Sequence, residues 1–81
     1  MKELIVKIQY FTMKQTVYIK DGRNVREERV DYRNLPQFIA ECPDLSVVHI
    51  FGTEKQAKKI VQDCRVKYKI NQKDIKFMCN K

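Results

Sequence analysis

The side chains of this 81-residue chain able to act on another molecule are three cysteines, one histidine, ten carboxylates and seventeen lysines and arginines. Cys42, Cys64, Cys79 and His49 are the right ligand types for zinc, but no two cysteines stand two to four residues apart as in a zinc knuckle. A Cys–His nucleophilic pair would need His49 and a thiol brought together with a third, orienting group. The chain's own pattern therefore reads as small core cysteines in a reducing compartment, and His49 as a strand residue with one satisfied nitrogen. No metal site, cofactor or catalytic residue is expected.

Two stretches carry chemistry of another kind. Phe51-Gly52-Thr53-Glu54 stands before a helix, where free N–H groups and the helix dipole attract phosphate. It lacks the glycine-rich loop and Lys-Ser/Thr step of a phosphate-binding loop, and Glu54 would repel an anion. It reads instead as a helix cap with a stabilising acidic first turn. The sharper candidate is Thr53 to Lys69. At about 100° per residue, Lys55, Lys58, Lys59, Arg65 and Lys69 fall on one arc, opposite Ala57, Ile60, Val61, Cys64 and Tyr68. Like charges one turn apart repel, so an acidic partner would relieve that face. Lysines meet phosphate as point charges, giving affinity and salt dependence without base readout.

The charge balance agrees. The chain is +7 overall; residues 1–52 hold eight basic and seven acidic groups, and residues 53–81 hold nine and three. Arg23, Arg26, Arg29 and Arg33 form a second basic run, but it is interspersed with Glu27, Glu28 and Asp31 and suggests cross-strand ion pairs on an exposed hairpin. Tyr18 and Tyr32 either join the core or lie on an open sheet face, where aromatics beside basic groups stack single-stranded bases. Tyr10, Phe11, Met13 and Tyr18 are the alternative, apolar interaction surface, because Phe11-Thr12-Met13 is unusually apolar for a connection.

These residues need a scaffold, and the periodicities supply one. Leu4, Val6, Ile8 and Tyr10 alternate with polar residues as a first strand. Thr16 to Lys20 runs into Asp21-Gly22, a pair suited to a type I′ hairpin turn, and the polar stretch from Asn24 to Tyr32 follows as an edge strand. Asn34 and Gln37 fit a capping box opening a short helix that ends at Pro43. Leu45 to Phe51 is nearly continuous in apolar residues, the pattern of a central strand covered on both faces. Thr53 and Gln56 make a second capping box, the long helix runs to a terminator at Asn71, and Ile75, Phe77 and Cys79 mark a last strand.

The expected fold is thus α/β (α+β), one small domain over 1–81, with a mixed sheet of three N-terminal antiparallel strands followed by α-β-α-β. Strands joined through helices should be parallel. This order resembles the core of the ribonuclease H-like fold, and Val48-His49-Ile50-Phe51-Gly52-Thr53-Glu54 is similar to the junction where that family carries a catalytic aspartate in a Thr-Asp-Ser step. Thr53 stands where the aspartate would fall, and the first strand lacks the family's inward aspartate. Two-metal chemistry needs carboxylates clustered around ions about 4 Å apart, which here would require convergence of Glu3, Glu41 and Glu54 near Thr53.

Eighty-one residues bury little beyond their own core, which weighs against an enclosed small-molecule pocket. No run approaches the roughly 20 apolar residues of a membrane span, and Lys7 interrupts the N-terminal apolar run before it reaches signal-peptide length. Lysine outnumbers arginine 12 to 5, a bias associated with AT-rich bacterial or phage genomes. The expectation is a cytosolic, non-enzymatic binding or regulatory module. Its partner would be an acidic surface, most simply nucleic acid or a nucleoprotein, contacted through the lysine arc. The rivals are a protein-interaction module, such as a phage or mobile-element accessory protein, and a metal-dependent nuclease.

Overall fold

The computed structural model describes residues 2–9, 12–67 and 75–80. Over these described residues the architecture is α+β: a five-stranded mixed sheet and two α-helices. In chain order the elements are β1 (Lys2–Lys7), β2 (Lys14–Asp21), β3 (Asn24–Asp31), a 3₁₀ turn (Tyr32–Asn34), α1 (Leu35–Glu41), β4 (Leu45–Phe51), α2 (Glu54–Val66) and β5 (Lys76–Asn80). The spatial order is β3-β2-β1-β4-β5. The hairpin pairs β1–β2 and β2–β3 are antiparallel, while β1–β4 and β4–β5, joined through helices, are parallel.

Side-chain alternation gives the sheet two unlike faces. Leu4 and Val6 of β1, Val17 and Ile19 of β2, and Val48 and Ile50 of β4 are buried in one cluster with Leu35 and Ile39 of α1 and Ala57, Ile60 and Cys64 of α2. The helices lie side by side, with Cys64 Sγ 3.8 Å from the Pro36 carbonyl oxygen. Both therefore cover the same face. The residues of opposite parity, Ile5, Tyr18, Val47 and His49 among them, belong to no part of that core.

Local chemistry sets the connections. In the β2–β3 hairpin Asp21 pairs with Asn24, so the loop is Gly22-Arg23, and Gly22 alone has a positive φ of 63°. That φ pattern suits a type II′ turn and corrects the expected type I′, which needs two positive φ angles. Between β1 and β2, the buried Gln15 amide replaces missing strand pairing: its Oε1 accepts from Gln9 N at 2.6 Å, and its Nε2 donates to Gln9 O at 3.1 Å and Thr12 O at 2.7 Å. Asn34 at the head of α1 makes no side-chain cap, and Gln37 instead donates to Glu41 one turn on. The capping box expected there is replaced by Asp31, whose carboxylate accepts from Arg33 N at 3.0 Å and caps the preceding 3₁₀ turn. That N–H holds the Asp31 carboxyl below its ordinary pKa.

The second capping box forms as the sequence implies. Thr53 Oγ1 accepts from Gln56 N at 3.2 Å, and Gln56 Oε1 accepts from Thr53 N at 3.1 Å. Two expectations about strands need revision. β4 is next to the edge and covered on one face only, because Val47, His49 and Phe51 point away from both helices. β3 is the edge strand, as its polarity implied, but Arg26 of β3 and Arg33 of the 3₁₀ turn pair locally. Arg26 meets Glu28 at 3.5 Å and Arg33 meets Asp31 at 3.4 Å, each two residues apart in sequence rather than across the hairpin. Tyr10 of the expected first strand, Tyr68 of the apolar arc and the terminator Asn71 lie outside the described residues.

Candidate binding surfaces

Two surfaces gather charge and aromatic groups, and they lie on opposite sides of a two-layer molecule. The first is the outward arc of α2. Its inner arc of Ala57, Ile60 and Cys64 is buried, which fixes the rotation of the helix and leaves Lys55, Lys58, Lys59 and Arg65 exposed. The structure brings these four onto one face, as their spacing implied; Lys69 falls outside the described residues. Their charges are less isolated than the sequence suggests. Lys58 Nζ lies 2.9 Å from Glu54 Oε1 and Lys59 Nζ 3.5 Å from Asp63 Oδ1, both one turn apart. The Arg65 guanidinium lies over the Phe77 ring, 5.6 Å from its centroid.

These pairings lower the mutual repulsion expected of the arc without removing the groups from solvent. The Lys58 and Lys59 side chains are 74% and 65% exposed, and exposed ion pairs contribute between zero and about 1 kcal/mol, which phosphate contact easily replaces. Among the described members of the arc, Lys55 makes no ion pair.

The second surface is the face of the sheet that the helices leave uncovered. Strand register puts Glu27, Tyr18, Ile5, His49 and Met78 in one row across all five strands. A flanking row holds Val25, Lys20, Glu3, Val47 and Lys76; the other holds Arg29, Thr16, Lys7 and Phe51. The contacts agree with that placement. Lys7 Nζ lies 5.4 Å from the Tyr18 ring centroid, and His49 Nε2 lies 3.6 Å from Glu3 Oε1. Phe51 and Met78 are each 38% exposed, which is unusual for large apolar side chains within strands.

Of the four residues considered as an apolar surface, Tyr10 and Phe11 lie outside the described residues. Met13 is exposed at the end of the β1–β2 connection, while Tyr18 sits mid-strand on the uncovered face, so these two do not form one patch. Tyr32 packs against the core cluster. Sequence reasoning missed His49, Phe51, Lys7, Lys20 and Lys76 as members of one surface. The alternation of β1 and β2 held the signal, but the unbroken apolar run of β4 concealed which of its residues were left bare.

The remaining reactive groups stay apart. Glu3, Glu41 and Glu54 engage His49, Gln37 and Lys58 respectively. Among the described residues, no group of three or more His, Cys, Asp and Glu side chains could hold a metal ion. Cys64 and Cys79 are free thiols, and burial pushes the Cys64 thiol pKa up to about 12. A shallow cleft of about 400 Å³ between β3 and α1 mixes Lys14 and Arg29 with Glu28, Asp31 and Glu41, so its lining charges largely cancel. No described helix is long and apolar enough to cross a membrane. The chain matches no protein family, no curated protein and no solved structure.

Proposed function

We propose that this chain is a small, non-enzymatic binding module of a reducing cytoplasm that contacts an acidic partner, most simply nucleic acid or a nucleoprotein, through the lysine-rich face of α2. The observation that carries this reading is the separation of that helix into a buried arc and an exposed basic arc of Lys55, Lys58, Lys59 and Arg65. A net charge of +7 supports it by favouring encounter with polyanions. The contact is to phosphate, because lysine ammonium groups carry no base-specific hydrogen-bonding pattern.

The test is binding of a labelled duplex across a salt series by the chain and by a Lys55→Glu, Lys58→Glu, Lys59→Glu variant, with circular dichroism as the folding control. Binding should fall in the variant. The slope of log affinity against log salt should flatten by about 0.9 for each phosphate that the variant no longer neutralises. An unchanged affinity and slope would sink the assignment to α2. Salt-resistant association with one stoichiometric protein would transfer the function to a protein-interaction module.

A further inference from the structure

We infer that the uncovered sheet face is a platform for single-stranded nucleic acid, with bases stacking on Tyr18, His49 and Phe51 and phosphates meeting Lys7, Lys20 and Lys76. This rests on the nucleic-acid reading above but assigns the bases to the opposite side of the molecule from α2. Three observations converge. Among the described residues neither helix covers this face, because both lie on the other side. It carries rings rather than aliphatic groups alone. Its charged groups are interleaved with those rings instead of being segregated from them.

The geometry suits a strand lying across the sheet. His49 and Phe51 are two residues apart on β4 and so about 7 Å apart along it, while Tyr18 is two strands from His49, about 10 Å away. Unstacked bases can be spread over such distances; stacked bases of a duplex cannot reach a flat protein surface with their faces. Lys7 already lies over Tyr18, which puts an ammonium beside the ring that would hold a base. Lys20 on β2 and Lys76 on β5 flank the central row. Rings accept any base, so binding would tolerate sequence and depend on salt.

Charge selects this occupant over a second copy of the chain. Lys7, Lys20, Lys76 and Arg29 outnumber Glu3 and Glu27 on this face, and Glu3 is engaged with His49, so two such faces would oppose a net positive charge. A polyanion with flat apolar bases complements both the centre and the rim.

The experiment is fluorescence anisotropy with labelled oligo-dT of about 16 nucleotides, the upper end of site sizes for such platforms, and with a duplex of the same length. Variants are Tyr18→Leu and Phe51→Leu, which keep apolar bulk on an already exposed face, alongside the α2 triple variant. Single strand should bind more tightly than duplex, and each ring substitution should weaken the single strand about tenfold with an unchanged thermal midpoint. Single-strand binding that ignores both ring substitutions, or a preference for duplex, overturns the platform while leaving the nucleic-acid reading intact. Failure of both probes to bind at low salt overturns the two together. Salt-resistant self-association abolished in Phe51→Leu, seen by sedimentation, would give the face to a second copy and also overturn the inference.

Discussion

Gln15 shows how one side chain can stand in for backbone. At 2% exposure it donates twice and accepts once, all to the backbone of Gln9 and Thr12, so the β1–β2 connection is held by an amide that belongs to neither strand's ladder. Gln15→Ala strands those groups, and the expected cost is about 1–3 kcal/mol, read as a lower urea midpoint. Cys64 makes a different kind of statement. Desolvation raises its thiol pKa to about 12, above the unfolded value of about 8.5, so the folded state keeps a proton that the unfolded state gives up. That contribution to stability is complete below about pH 8.5 and is lost as pH rises toward 12. The thermal midpoint should fall over this alkaline range, and the fall should be shallower in Cys64→Ala. In native protein at pH 8 a thiol reagent should modify exposed Cys79 well before Cys64, whose labelling should require denaturant.

Among the elements, α2 was the most legible. Its apolar spacing gave the buried arc, and Thr53 with Gln56 gave the cap, because both signals act within a few residues of chain. Thr53→Ala should cost about 1 kcal/mol in a denaturation experiment and Thr53→Ser much less, since serine keeps the accepting oxygen. At the hairpin, Gly22→Ala forces a side chain into the left-handed region and should destabilise the fold by about 1 kcal/mol, with Gly22→Asn better tolerated. The missed details share a cause. The cap at Asn34 gave way to Asp31 because a 3₁₀ turn precedes α1, and Arg26 on β3 and Arg33 in that turn found carboxylates two residues away. In each case two arrangements fit the same residue types, and the local backbone path selects between them. The bare side of β4 was illegible for a stronger reason: continuous apolar residues look alike whether one face is covered or two, and only the placement of both helices on one side decides it.

At the scale of the whole molecule, two layers present two unlike exteriors, a charged helix surface and a sheet surface where rings and lysines mix. Their separation makes them independently testable, since a substitution on one does not touch the other. The net charge of +7 adds a self-repulsion that salt screens, so moderate sodium chloride should raise the thermal midpoint slightly even as it weakens any polyanion contact. The position of β1 also matters in time. β1, β2 and β3 are joined by short connections and pair locally, but the other edge of β1 waits for β4, whose partners lie more than forty residues away. During refolding the hairpins should therefore form first and stand briefly with a naked, apolar edge at Leu4 and Val6, until closure by the parallel strand hides it. Refolding yield should fall as protein concentration rises, because a neighbouring chain can reach that edge before Leu45–Phe51 does.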